Sequence, residues 1–245
     1  MAQKPEKLRI GVLGANGRMG TEVRRILGEE HADRTTLAAP VDRGGDLDSL
    51  MACRVVIDFS LPEAVAEFLK HAESRRGKFH PALVVGSTGW TPAQRAALEE
   101  YSNHAPVLQS ANFSLGVQAL RRILRQSAPL FKVLGYKPRL EETHHTHKRD
   151  APSGTAVALR DEIAPAYPGL EIPIQSYREG EVVGDHSVMY EGPSDRILFR
   201  HVAQDRGLFA RGAIQAALWV ATLEPWAQSG RGILGLDRLL EDLAR

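Results

Sequence analysis

With 245 residues, 43% hydrophobic and 25% charged, the chain has the make-up of a globular protein and room for one large domain or two modest ones. A formal net charge of +1 supplies no global attraction to nucleic acid or to an anionic membrane, so any affinity for an anion must come from a local cluster. Cys53 is the only cysteine, which excludes an intrachain disulfide and a cysteine-based zinc site.

The N-terminal stretch MAQKPEKLRIGVLG has a short polar lead and lacks a signal-peptide core and cleavage motif. No apolar run approaches bilayer length, so the expectation is a cytoplasmic protein with neither membrane nor nucleic-acid partners. Leu8–Leu13 reads as a buried strand, and Met19, Val23, Ile26 and Leu27 fall on one helical face with Gly28 as terminator. Leu37–Val41 and Arg54–Phe59 read as further strands, the second preceded by Cys53 as a buried thiol. Ser60-Leu-Pro-Glu63 has capping-box spacing before a helix carrying Val65, Phe68 and Leu69. Ala82–Gly86 is a fourth strand, Thr91-Pro-Ala-Gln94 caps another helix through Tyr101, and Pro106–Gln109 is a fifth strand. This alternation predicts a doubly wound parallel sheet.

From Leu115 the character changes. A helix over Leu115–Ser127, with Val117, Leu120, Ile123 and Leu124 as its apolar stripe, leads into strands at Arg139–His145, Gln175–Tyr177, Ser187–Tyr190 and Arg196–His201. A helix beginning near Ser153, with Ala156, Leu159 and Ile163 inward, is inserted among them. Strands at this spacing with few crossover helices predict an α+β unit on an open mixed sheet. Helices over Phe209–Leu223 and Leu236–Leu243 close the chain. The reading is therefore one domain over residues 1–114, a second over 115–206, and a helical segment, 207–245, returning to the first.

Two stretches carry chemistry. Gly14-Ala-Asn-Gly17-Arg-Met-Gly20 follows the first strand and opens the first helix, where backbone N–H groups can cradle a pyrophosphate. Its spacing is G-x-x-G-x-x-G, and the competing reading is a purely structural turn. Asp42-Arg43 ends the second strand, pairing an acid suited to ribose hydroxyls with a base suited to a 2′-phosphate. Gly86-Ser-Thr-Gly89 and Ser110-Ala-Asn-Phe-Ser114 follow strands of the same sheet and are either ligand loops or ordinary turns.

The second stretch, ETHHTHKRDAPSGTA (Glu142–Ala156), gathers three histidines and a lysine before a helix start. Its histidine spacing lacks the i, i+4 pair with an intervening Glu that a helical zinc site uses, so no metal is expected. A proton donor beside an anion cradle fits better, with the N–H groups of Ser153, Gly154 and Thr155 at a helix N-terminus. The remaining alternative is a solvated polar loop capped by Ser153.

These blocks resemble the 4-hydroxy-tetrahydrodipicolinate reductase (dihydrodipicolinate reductase) family. GANGRMG, VIDFS, VVGSTGW, SANFSLG, ETHHTHKRDAPSGTA, REGEVVGDH and FARGAIQAALW run in family order across nearly the whole chain. The resemblance implies a Rossmann-like domain binding NADH and/or NADPH, joined by hinges to an α+β substrate domain through which the family forms homotetramers. It also implies reduction of a small dicarboxylate in the diaminopimelate branch of lysine biosynthesis, with closure of the two domains over the reactants. By position, Gly14, Ala15, Asn16, Gly17, Arg18 and Met19 resemble the pyrophosphate loop, and Asp42 and Arg43 the ribose and 2′-phosphate readers. Gly86, Ser87, Thr88, Ser110, Ala111, Asn112 and Phe113 resemble the nicotinamide-side loops. His144 matches the general acid and Lys148 its catalytic partner, while His145, Lys148, Ser153, Gly154 and Thr155 match the carboxylate-gripping residues. The sequence departs from the family in a shorter segment before Arg178, in Ser87 where Thr is commoner, and in Ser110 where Ala or Pro is commoner.

Overall fold

β1 (Leu8–Leu13) sits inside a six-stranded parallel sheet, flanked by β2 (Thr35–Val41) and β3 (Val55–Asp58). The sheet continues through β4 (Ala82–Val85) and β5 (Val107–Gln109) to a two-residue edge strand, β10 (Ile233–Leu234). The computed structural model describes residues 6–75, 79–223 and 232–245. The polar lead at residues 1–5 and residues 224–231 of the expected C-terminal segment lie outside them.

All five pairings are parallel, so each connection is a crossover carrying a helix or a longer return. The strand order β10-β5-β4-β3-β1-β2 reverses direction of travel between β1 and β3, which makes their carboxyl ends a topological switch point. β3 and β4 are buried at every position, as expected of strands covered on both faces.

α1 (Arg18–Glu30) buries Gly20, Val23, Ile26 and Leu27 as its periodicity predicts. It does not stop at Gly28; it continues two residues further, and Arg25 pairs with Glu22 at 2.9 Å and Glu29 at 2.5 Å along its exposed side. α3 (Pro62–Glu73) also departs from expectation. Its N-cap is Leu61 without a side-chain bond, and Pro62 presets the first turn. The Ser60 hydroxyl donates to Asp58 instead, and the Ser60 N–H donates to the same carboxylate at 2.8 Å. At α4 (Pro92–Tyr101) the expected capping box between Thr91 and Gln94 is present in full. A one-turn helix, α2 (Leu47–Met51), was not expected; it is capped by Asp46 and buries Leu50.

The chain divides into two compact units, Met1–Phe113 with Phe209–Arg245, and Ser114–Leu208. In the first, α7 (Gly207–Val220) buries Ala210, Ala213, Ile214 and Ala217, and Trp219 Nε1 donates to Asp242 of α8 (Leu236–Leu243) at 3.2 Å.

The second unit places α5 (Leu115–Val133) and α6 (Gly154–Ile163) against a four-stranded mixed sheet of order β7-β6-β8-β9. β6 (Lys137–His144) pairs parallel with β7 (Ile174–Arg178) and antiparallel with β8 (Gly184–Glu191), which pairs antiparallel with β9 (Arg196–Ala203). α5 is longer than expected, running through Pro129 to bury Ala128 and Phe131; its inward residues are Val117, Leu120 and Leu124, while Ile123 is 46% exposed. α6 buries Ala156, Leu159 and Ile163 as predicted.

β6 alternates with its even-numbered residues inward, so Leu140, Glu142 and His144 share one face. Register sets Leu140 beside Val188 and Phe199, and Glu142 beside His186 and His201. One inward face therefore changes from apolar core to polar site within two residues. Fully burying each apolar side chain of that core stabilises the unit by about 1.5–3 kcal/mol, which holds the backbone of the polar rows in place.

Candidate active site

In the first unit the glycine turn sits at the switch point. Gly14 adopts φ +81°, and a Cβ there would stand 2.8 Å from the Phe59 carbonyl oxygen. At Gly20 it would lie 2.1 Å from the Gly14 oxygen, so the third glycine lets α1 pack directly on the turn. Gly17 is the N-cap of α1, and the first turn of the helix carries no acidic residue. Its N-terminal amides therefore keep their positive field, which fits a pyrophosphate. Asn16, Gly17 and Arg18 are exposed and Met19 half-buried, whereas Ala15 is buried and its N–H is already given to the Val41 carbonyl at 3.2 Å.

Asp42 is fastened to this turn: its Oδ2 accepts the Asn16 N–H at 2.9 Å. A cavity of about 350 Å³ opens between Gly14, Asp42, Arg43 and Ser60, with Glu63 and Glu67 on its wall. Asp58, which the sequence did not single out, ties the neighbouring loops together; it accepts from Ser60 and, at 3.3 Å, from the Ser87 N–H. Burial raises its pKa, and the Ser60 and Ser87 donors only partly oppose that. A Cβ at Gly86 would meet the Phe59 ring at 2.5 Å, so this glycine answers to packing. Ser87 is buried and Thr88 exposed. In the following loop the Ser110 hydroxyl donates to the Asn112 carbonyl at 2.8 Å, Ala111 is exposed, and the buried Phe113 meets Phe59 edge-on at 5.6 Å.

The second unit gathers the ETHHTHKRDAPSGTA stretch around Glu142. Its side chain is 0% exposed, and Oε1 accepts from the Ser153 N–H at 3.1 Å and from Arg178 Nη2 at 3.2 Å. Oε2 lies 2.7 Å from His144 Nδ1 and 4.0 Å from His186 Nε2. The rings of His144 and His186 meet edge-to-face at 4.9 Å. Arg178 also donates from Nε to the Lys148 carbonyl at 3.4 Å and from Nη2 to that of Asp150. It thereby bolts the Lys148–Asp150 loop to β7. Lys148 Nζ pairs with Asp150 Oδ1 at 2.8 Å.

Two histidines on paired strands each reach a helix-capping serine. Ser153 caps α6 by accepting the Ala156 N–H at 3.1 Å, and its Oγ is 3.2 Å from His186 Nε2. Ser114 caps α5 by accepting the Val117 N–H at 3.1 Å, and its Oγ is 3.2 Å from His201 Nε2.

Charge states follow from these neighbours. Burial alone would raise the Glu142 pKa, but the donors of Ser153 and Ser176 and the nearby His144 charge outweigh it and hold the carboxyl down at about 2. Burial lowers His144; Glu142 opposes this, while Lys148 and Arg178 push the same way as burial. Burial together with the His144 charge pushes His186 down to about 4.

Of the residues expected to form this site, His144, Lys148 and Ser153 come together around Glu142. His145 is half-buried in the turn beyond β6; Gly154 is exposed and Thr155 half-buried at the start of α6. The Ser153 N–H is not open to a ligand, because Glu142 takes it. His147 lies apart, exposed and 3.5 Å from Glu181. Sequence reasoning missed Glu142, Arg178 and His186 as site residues. The signal was available only in part, since Glu142 and His144 share strand parity but His186 joins them through the β6–β8 register. Donor atoms of Glu142, His144 and His186 lie within 4.8 Å of one another, close enough to be tested as a metal site. The Arg178 guanidinium already neutralises this carboxylate and disfavours a second cation, so the cluster reads as a hydrogen-bonded ion network.

A parallel sheet with a glycine turn at its switch point, joined in one chain to a mixed-sheet unit holding this network, defines a two-unit protein of the Rossmann class. Family models agree: the dihydrodipicolinate reductase N-terminus matches residues 8–113 and its C-terminus residues 116–240. The 4-hydroxy-tetrahydrodipicolinate reductase of Caulobacter vibrioides is 34% identical over 260 residues, covering 95% of this chain and 99% of that protein. The protein of the same name from Alkalilimnicola ehrlichii is 36% identical, covering 93% and 99% respectively. A dipicolinate-bound dihydrodipicolinate reductase from a Paenisporosarcina species superposes with a TM-score of 0.70 at 20% identity, covering 96% of this chain and 100% of that one, a likeness of fold. The chain belongs to the dihydrodipicolinate reductase family. No described helix is long and apolar enough to cross a membrane.

Proposed function

We propose that this protein reduces 4-hydroxy-tetrahydrodipicolinate to tetrahydrodipicolinate in diaminopimelate and lysine biosynthesis, using NADH or NADPH. The observation that carries the reading is the buried Glu142–His144 pair, with Lys148 in the loop that leads to α6.

The nicotinamide supplies the hydride, and the protein supplies alignment and electrostatics. In the first unit, residues Gly14–Met19 hold the pyrophosphate, Asp42 and Arg43 face the adenosine ribose, and the loops at Gly86–Thr88 and Ser110–Phe113 flank the nicotinamide. In the second, His145, Lys148 and the amides of Gly154 and Thr155 hold the two carboxylates, and Ser153 shapes the cradle as its cap.

Hydride addition to an imine-conjugated ring leaves negative charge that must be protonated, and His144 is the donor. Burial, Lys148 and Arg178 hold this histidine towards its neutral form in the free protein. A bound dianion adds two negative charges beside it and restores the imidazolium when the proton is needed. Lys148 exchanges Asp150 for a substrate carboxylate on binding.

The sheet of the second unit keeps one face open, with Tyr177 42%, Leu198 53% and Val202 51% exposed among the Arg139–Glu191 and Arg200–Asp185 pairs. Joining such faces in a cytoplasmic homotetramer buries this mixed surface. The deciding assay follows nicotinamide absorbance with freshly generated hydroxy-tetrahydrodipicolinate. Cofactor binding without substrate-dependent oxidation would reject the reading.

A further inference from the structure

We propose that Glu142 is a positioning residue for proton transfer: it keeps the Nδ1 proton of His144 facing its Oε2 and so reserves Nε2 as the nitrogen that delivers a proton to substrate. This deepens the function proposed above and rests on His144 being the acid.

Oε1 of Glu142 is committed to the Ser153 N–H and to Arg178, from two different elements. Oε2 is thereby left facing His144 Nδ1 at 2.7 Å, both atoms being buried and neither making any other hydrogen bond. On the other side of the ring, a Cβ at Gly184 would stand 3.2 Å from His144 Nε2, so the β8 backbone passes close by and limits the ring's tilt. The groups facing His144 are Glu142 on its own strand, Lys148 from the following loop, Arg178 from β7 and His186 from β8. Among them only Glu142 is anionic, and its Oε2 stands 2.7 Å from Nδ1.

This arrangement has a chemical consequence. A neutral imidazole protonated on Nδ1 has its lone pair on Nε2, so the proton gained there on forming imidazolium is the one given away. In the opposite tautomer Nε2 already holds the proton of the neutral ring, and giving it up would leave an imidazolate. The carboxylate thus favours the Nδ1–H ring that remains once the imidazolium has given its Nε2 proton to substrate, and so assists transfer from that nitrogen.

Glu142→Gln tests this directly, because the neighbours dictate which way the amide turns. Its oxygen must take the Oε1 place to accept from Ser153 and Arg178, which turns the –NH₂ towards His144 Nδ1. That donor forces the Nε2–H tautomer. Turnover should fall roughly 10- to 100-fold with little change in KM for either substrate. The basic limb of the kcat–pH profile should move to lower pH, because the imidazolium loses its anion.

Nitrogen-15 NMR of ring-labelled protein, with His144 assigned by its absence in His144→Gln, should show Nδ1–H in the parent and Nε2–H in Glu142→Gln. An unchanged tautomer and an unchanged basic limb would overturn the proposal. If Glu142→Gln fails to fold, the parent spectrum decides alone: a neutral Nε2–H form of His144 there is fatal. Full turnover in His144→Gln would instead remove the acid reading itself and this inference with it, a result distinct from a tautomer that fails to switch.

Discussion

Ser153 is the side chain whose removal has the most calculable effect. Ser153→Ala deletes the α6 cap made to the Ala156 N–H, worth about 1 kcal/mol at helix N-termini. It also removes the Oγ contact to His186 Nε2; the other ring nitrogen, Nδ1, has no protein partner among the described residues. An imidazole only 5% exposed would then lack a hydrogen-bond partner, at a cost of about 1–3 kcal/mol. Together the loss is roughly 2–4 kcal/mol. The backbone N–H of residue 153 survives the substitution and still reaches Glu142, so the Glu142–His144 pair should keep its geometry. Hydrogen exchange is the appropriate assay, since a global melt would mix two units that need not unfold together. The slowest amides of β8 should exchange roughly 30- to 900-fold faster in the variant. Ser153→Thr, which retains Oγ, should stay close to the parent. A change below about threefold in Ser153→Ala would refute the assignment of both contacts.

Loss of the ammonium in Lys148→Ala removes a charge-assisted contact and should reduce kcat/KM for the dicarboxylate roughly 10- to 100-fold, leaving the Kd for NADH unaltered; unchanged kinetics would remove Lys148 from the pocket. Around the cavity beside Gly14, the carboxylates of Asp42, Glu63 and Glu67 outnumber the single cation of Arg43. A 2′-phosphate would meet net repulsion there, so kcat/KM should favour NADH over NADPH by roughly tenfold, and Glu67→Lys should narrow the ratio. A parent preferring NADPH would contradict this. Acid sensitivity should come in two steps. His186, pushed down to about 4 from an ordinary 6.5, contributes stability that is complete above pH 6.5 and lost as pH falls to 4. Glu142, held at about 2 against an ordinary 4.5, adds a second loss as pH falls from 4.5 towards 2. Opening free energies of the β8 amides, read by hydrogen exchange, that stay level from pH 7 to 4.5 would contradict the first step.

Most of the parallel sheet was legible because its strands are short apolar runs bounded by glycine, proline and capping residues. The elements that escaped were those too short to carry a period: α2 has five residues and β10 two. Gly28 misled because an exposed glycine costs a helix interior only about 1 kcal/mol, which packing of Val23, Ile26 and Leu27 outweighs. Ser60 misled for a different reason: capping spacing is necessary but not sufficient, and the hydroxyl was already engaged by Asp58. In the site, what lies on β6 and its following loop was readable from residue chemistry. Arg178 and His186 were not, since they reach Glu142 from β7 and β8 across strand registers that no local pattern encodes.

That division bears on how portable the ETHHTHKRDAPSGTA block can be. Grafted onto another scaffold, the fifteen residues would carry the histidine, the lysine and the helix start, yet leave Glu142 without its guanidinium and Ser153 without its imidazole. A stripped carboxylate of this kind would protonate or turn outward, and the acid would lose its orientation with it. The smallest transplantable unit is therefore the whole mixed sheet with α6 upon it. Drift on β8 or β7 can silence the chemistry while every letter of the block stays intact.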